Sequence, residues 1–126
     1  MDVKFYRCPI CGNIAVKVYD GGRPMSCCGQ EMEELVADST DAALEKHVPD
    51  VTREGDTLHV NIGSVDHPMI PEHYIQFICL VTDNSYQVHQ LVPEDAPHAD
   101  FHVGADEKPL KVYEFCNVHG LWVKDL

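Results

Sequence analysis

Six cysteines and eight histidines make up the chemically reactive part of this 126-residue chain. Four of the cysteines stand at positions 8, 11, 27 and 28. Cys8-Pro9-Ile10-Cys11-Gly12 has the form of a metal knuckle: two thiolates at this spacing can grip one ion, and the glycine lets backbone amides approach the sulfurs. Fifteen residues separate Cys11 from the pair Cys27-Cys28, which completes a closed set of four thiolates. Such a set suits zinc or a mononuclear iron. The alternatives are disulfides or reduced buried thiols, but adjacent cysteines rarely bond each other, and dense Cys and His in a cytosolic chain favour metal. A closed site has no room for substrate. It holds the fold, or passes electrons if its metal is redox-active.

A second set is spread more widely: His47, His67, His73, Cys116 and His119. Cys116-Asn117-Val118-His119-Gly120 places a thiolate and an imidazole where one tight turn can present both to an ion. His67 precedes Pro68, which favours an extended approach, and His73 follows Pro71-Glu72 at the start of a strand. His47 lies just before the break expected at Pro49. Any one of these histidines alone reads as an ordinary polar residue; the set, joined to Cys116, reads as a ligand sphere. Among the others, His59 and His89 fall within strand patterns as exposed-face residues, and His98 with His102 form a weaker alternative pair. Cys79, inside Phe77-Ile78-Cys79-Leu80-Val81, reads as a small buried hydrophobe, and Trp122 as core.

The elements that must position these residues are mainly strands. Ile14–Val18 alternates like a short strand between the turn signals Gly12-Asn13 and Gly21-Gly22. Residues 38–48 form the one helical stretch, a turn or two within a connecting loop, capped by Ser39 or Thr40 and stopped by Pro49. From Thr57 onward, apolar runs at 58–65, 74–82, 86–92, 99–103, 110–115 and 121–124 alternate with turn clusters, which predicts an antiparallel sandwich. The domain boundary is expected near Val36–Asp38, giving a metal-stapled unit over 1–37 and a β-sandwich over 38–126.

Net charge is −12, which argues against nucleic acid and against an anionic membrane surface. The first 37 residues nearly balance five acids with four bases, so the acidity is concentrated in the rest of the chain. An anionic substrate there would need a local positive charge. No apolar run reaches the roughly 18 residues of a membrane helix. The opening MDVKFYRCPICG has no signal-peptide core, so a cytoplasmic location is expected.

Four ordered motifs together resemble desulfoferrodoxin, the two-iron class of superoxide reductase, over essentially the whole chain. Cys8, Cys11 and Cys27-Cys28 are similar to the desulforedoxin module. Thr40-Asp41-Ala42-Ala43 with Glu45-Lys46-His47-Val48-Pro49 is similar to the family's lid loop. His67-Pro68-Met69 with Glu72-His73-Tyr74-Ile75 is similar to its paired-histidine segment, and Cys116 to Trp122 to its closing motif. Phe77 and Gln76 depart from the usual tryptophan and glutamate, but neither is a ligand.

The resemblance implies a desulforedoxin-like domain followed by an immunoglobulin-like sandwich. It implies two irons per chain, one on the four cysteines. The other would have His47, His67, His73 and His119 as equatorial ligands and Cys116 as the axial one. It further implies one-electron reduction of superoxide to hydrogen peroxide, a rubredoxin-like electron donor, a homodimer and a cytoplasmic setting in an anaerobe. Lys46 becomes the candidate cation that steers the anion and holds the water that protonates peroxide. Glu45 becomes a carboxylate able to reach ferric iron. Glu114, two residues before Cys116, could act on the thiolate through the backbone, and Tyr113 is packing. The competing readings are a zinc-binding interaction module, a metal hydrolase with Glu45 as base, and an iron electron carrier without catalysis. Metal content and colour separate them.

Overall fold

The computed structural model describes residues 2–126. They divide into two compact units, Asp2–Val36 and Ala37–Leu126. No helix among them is long and apolar enough to cross a membrane.

The first unit contains β1 (Phe5–Arg7), β2 (Ile14–Val16), β3 (Ser26–Cys27), β4 (Gln30–Glu31) and β5 (Glu33–Glu34). Three of them form an antiparallel sheet in the order β2-β1-β5, while β3 and β4 make a separate hairpin. The strand expected over Ile14–Val18 stops at Val16. Beyond it the chain turns outward, with Lys17 Nζ bonded to the Arg23 carbonyl at 2.8 Å and Tyr19 almost wholly exposed. Only Val3, Phe5 and Cys8 are buried apolar residues here. So small a core does not hold a fold by hydrophobic burial alone.

The second unit contains α1 (Leu44–His47), β6 (Pro49–Glu54), β7 (Thr57–Ile62), β8 (Ile75–Thr82), β9 (Tyr86–Gln90), β10 (His98–His102), β11 (Pro109–Cys116) and β12 (Gly120–Asp125). Two antiparallel sheets, β10-β7-β6 and β12-β11-β8-β9, enclose the core. Leu58, Val60 and Ile62 from β7 meet Ile78 and Leu80 from β8, Phe101 from β10 and Val112 from β11. Strict alternation on β7 shows the pleat, with Leu58, Val60 and Ile62 buried and the residues between them turned away. The architecture is the β-sandwich that the apolar runs predict.

Three local features differ from the sequence reading. Strand β6 was not anticipated, because Pro49 reads as a stop. Here the proline is the first residue of an edge strand, where its missing N–H costs no ladder bond. The helical stretch shrinks to one turn whose N-cap is Ala43, without a side-chain cap; neither Ser39 nor Thr40 caps it. The residues before it are instead drawn to β12, where the Asp38 amide donates to the Leu121 carbonyl and the Val123 amide donates to Asp38 Oδ1. Finally, β7 ends at Ile62 rather than Val65.

That last ending matters for α1. Gly63 adopts a left-handed φ of 83°. A Cβ there would collide with the carbonyls of Val65 and Glu45 and come within 2.7 Å of Lys46 Cα. The close approach lets Gly63 N bond to Val48 O and Val65 N bond to Glu45 O, which clamps the short turn from below. We expect Gly63→Ala to destabilise the protein by at least about 2 kcal/mol, the sum of a left-handed alanine and a backbone clash. Urea unfolding of the metal-loaded protein measures it, and an unchanged midpoint contradicts the clamp.

Two candidate metal centres

In the first unit the cysteines converge without forming disulfides; all six in the chain are free thiols. Cys11 Sγ lies 3.6 Å from Cys27 Sγ, and Cys27 Sγ lies 3.9 Å from Cys28 Sγ. These separations are far beyond a disulfide bond. They match the edge of about 3.8 Å expected for four sulfurs each roughly 2.3 Å from one ion. The amides of Ile10 and Cys11 both donate to Cys8 Sγ at 3.4 Å. Those donors bring the Cys8 thiol down to about 6, with the Cys11 amide the largest cause. Cys28 goes the other way, up to about 12, because neighbouring sulfurs Cys11, Cys8 and Cys27 resist a further thiolate. A cation among the four removes that conflict. To aim consecutive cysteines at one point, Cys28 takes a left-handed φ of 54°.

The second set is assembled from three segments. His47 ends α1, His67 and His73 bracket the loop before β8, and Cys116 and His119 flank the β11–β12 turn. Their ligand atoms all lie within 4.8 Å of one another. The four imidazoles form a closed ring. Centroids are 4.6 Å apart for His47–His67, 4.7 Å for His67–His73, 5.0 Å for His73–His119 and 4.9 Å for His119–His47, and every pair is edge-to-face. His47 Nε2 is 3.1 Å from His119 Nδ1. Two nitrogens at right angles, each about 2.1 Å from one ion, stand about 3.0 Å apart. Cys116 is fully buried and belongs to the core cluster, so its sulfur reaches the ring from the interior.

Hydrogen bonds select which nitrogens face inward. His67 Nδ1 is 2.7 Å from the Pro68 carbonyl, which leaves Nε2 directed at the ring. His67 Nε2 and His73 Nε2 are buried without any partner. Orphaned buried nitrogens are costly, and a metal ion satisfies them. His47 Nδ1 points away toward Glu114 Oε2 at 3.4 Å, a carboxyl that is itself fully buried. The two make no hydrogen bond, and burial raises the Glu114 carboxyl well above its usual range, which disfavours its charged form behind this imidazole. Trp122 stacks flat on His47, with centroids 4.8 Å apart and 12° between planes, and its Nε1 donates to the His119 carbonyl.

Asn117 ties the remaining pieces. Its side chain accepts from Tyr74 N and donates to Glu72 O, while its own amide donates to Tyr74 O. The β11–β12 turn is thereby latched to the segment that carries His73. The His119 amide donates to Cys116 Sγ at 3.4 Å. Burial nevertheless pushes the Cys116 thiol up from its usual value.

Sequence spacing pointed to all nine of these side chains, and the structure gathers them into the two groups. It did not point to Asn117, or to a contact between Glu114 and His47; Asn117 stands inside a motif but carries no metal-binding signal of its own. Glu114 was read as acting through the backbone on Cys116, whereas its carboxyl faces His47. Trp122 is core, as expected, but also packs on a ring histidine. Glu45 and Lys46 are exposed on α1, and the Glu45 carboxylate is not part of the five-residue group. The charge of Lys46 reaches the ring, since it helps lower His47, His67 and His73. Cys79 is buried. His89 is exposed and His59 half-buried. His98 does not pair with His102, which faces Asp56 at 3.5 Å.

The chain matches two family models, "Desulfoferrodoxin, N-terminal domain" over residues 2–35 and "Desulfoferrodoxin" over residues 39–125. It is 42% identical over 120 residues to a desulfoferrodoxin homolog of Archaeoglobus fulgidus, covering 95% of this chain and 94% of the relative. Among solved structures it is similar to the superoxide reductase from Treponema pallidum. The TM-score there is 0.84 at 34% identity, over 99% of this chain and all of the other. A one-iron superoxide reductase from Giardia intestinalis matches 65% of this chain and 97% of its own, with TM-score 0.56 and 31% identity.

The metal-free protein should show a distinctive pH response. Burial is the main cause that lowers His47 and His67 to about 4. Between about pH 6.5 and 4 the unfolded chain therefore binds protons that the folded one refuses, and stability falls as the solution is acidified. Glu114 is raised well above its usual range by burial, so it works in the opposite direction above about pH 4.5. Urea unfolding of the second unit in metal-free protein, followed by Trp122 fluorescence so that Cys8 of the first unit does not contribute, at about pH 5, 6.5 and 8 should give the highest midpoint near 6.5, and Glu114→Gln should remove the loss on the alkaline side. A midpoint that rises steadily toward acid contradicts the buried neutral ring.

Proposed function

The chain belongs to the desulfoferrodoxin family, and on that premise we propose that its second centre reduces superoxide to hydrogen peroxide without releasing oxygen. The observation that carries this reading is the closed imidazole ring with a buried cysteine on its interior side. Two mononuclear iron ions fit the two donor sets, one on Cys8, Cys11, Cys27 and Cys28 and one on His47, His67, His73, His119 and Cys116. When bound, the second iron would supply one electron to superoxide, which with two protons becomes hydrogen peroxide, and an external donor would restore the electron. His47, His67, His73, His119 and Cys116 would hold this iron, which would supply a place for a small ligand, as catalytic rather than structural sites do. A zinc interaction module fits less well, because five donors of this kind exceed the usual four.

The chain's own residues divide the remaining work. Neutral histidines are available as ligands at physiological pH because burial holds His47 and His67 near 4. Trp122, stacked flat on His47, fixes the plane of that ring, and the Glu114 carboxyl lies behind its Nδ1. Lys46 supplies the local positive charge that an anion needs on so acidic a chain; salt screens the more distant carboxylates beyond about 8–10 Å. Among the described residues Lys46 has no carboxylate partner, so its charge is not spent on an ion pair. It would also hold the water that protonates the departing peroxide. Glu45, on the same exposed turn, is the carboxylate able to approach the oxidised centre. We further infer a homodimer, a rubredoxin-like electron donor and a cytoplasmic setting, which the resemblance of the sequence motifs to the family implies.

Metal analysis and the visible spectrum of purified protein test the reading first: two irons per chain with thiolate absorption are expected, and colourless zinc-loaded protein refutes it. Cys116→Ser should abolish superoxide reduction and the absorption of the second centre while the four-cysteine iron and its own absorption stay; an active variant that keeps the second centre's band removes the sulfur from the mechanism. Lys46→Ala should slow superoxide capture about tenfold and flatten its dependence on ionic strength. Unchanged pulse-generated kinetics refute the steering role.

A further inference from the structure

Three chemically competent side chains lie together on the β10-β7-β6 sheet, outside both centres. His59 stands on β7 and Asp100 directly opposite it on β10, while His98 precedes Asp100 by two residues and so shares its face. The alternating residues Leu58, Val60, Ala99 and Phe101 point into the core, so these three point away from it. Asp100 Oδ1 accepts from both imidazoles, His59 Nδ1 at 2.6 Å and His98 Nε2 at 2.7 Å. The two rings lie near parallel, 27° apart, with centroids at 6.3 Å. Their three donor atoms all fall within 4.8 Å of one another.

We propose that His59, His98 and Asp100 form a third metal site, for a divalent cation of the zinc, copper and nickel class. Two imidazoles and one carboxylate are the donor set such borderline ions prefer over magnesium or calcium. Cross-strand register supplies the organisation, since His59 and Asp100 are held opposite each other by the ladder. Tetrahedral ligands about 2.0–2.1 Å from an ion stand about 3.3 Å apart, so the present hydrogen-bonded cluster must open by about 0.6 Å. Side chains 34%, 39% and 54% exposed can rotate that far without disturbing the core. Each imidazole shifts its proton to the other ring nitrogen and offers the one now bonded to Asp100. Hydrogen bonds from His59 and His98 already hold the Asp100 carboxyl below its usual range, so it meets a cation as an anion. The fourth position opens to water. The same face turns Asp50, opposite Asn61, and Glu54, opposite Thr57, toward solvent, which adds to the local negative potential. Because β10 is an edge strand, an ion here bridges it to β7.

Zinc chloride added to the two-iron protein, followed by dialysis and counting of zinc and iron per chain, tests the site. One zinc per chain is expected, with both irons retained, the visible spectrum unchanged and the thermal midpoint raised. His98→Gln and Asp100→Asn should each weaken zinc binding about tenfold or more, and His102→Gln should leave it unchanged. Three results overturn the proposal: no zinc retained, zinc retained equally by the His59→Gln/His98→Gln double variant, or zinc gained only as iron is lost.

Discussion

Bringing four imidazoles and a thiol to one small volume inside a protein is unfavourable without a cation. Burial removes water from the ring nitrogens, and the neighbouring rings and Lys46 further oppose any protonation of them. His67 and His73 are left with buried nitrogens that no protein group satisfies. The four cysteines of the first unit face the same conflict in sulfur form, where one lowered thiol raises another. In both places the fold stores a requirement for positive charge, and the rest of the structure keeps the donors from relaxing apart.

The sandwich does this by using its strand ends. Donors come from α1, from the loop before β8 and from the β11–β12 turn, three segments far apart in sequence but at one end of the two sheets. Each is pinned by main-chain bonds rather than by the donors themselves. Gly63 lies under α1, Asn117 joins the turn to Tyr74, and the paired bonds between Ile70 and His73 close the loop. Trp122 then fixes one ring by stacking on its face.

How much was legible in the sequence follows from what each feature depends on. The donor residues were legible because ligand chemistry is carried by residue type and short spacing, as in Cys8-Cys11 and Cys116-His119. The sandwich was legible because its apolar runs end in clear turn clusters. Strand β6 was not, since a proline that begins an edge strand looks like one that ends a helix. The cap was misplaced because Asp38 pairs with β12, and a cross-chain partner leaves no local signature. The link from Glu114 to His47 was hidden for the same reason: it depends on two elements 67 positions apart meeting across the core. His59 and His98 looked unrelated until register placed Asp100 between them.

The one-turn helix is anchored on both flanks by main-chain groups, to Gly63 and Val65 on one side and through Asp38 to β12 on the other. Position 46 therefore inherits its place from the backbone, whatever side chain it carries. Variation there is free to tune reach, bulk and hydration while the address stays fixed. That makes this single position a natural place for relatives, or engineers, to adjust how readily small charged molecules arrive without disturbing the scaffold that receives them.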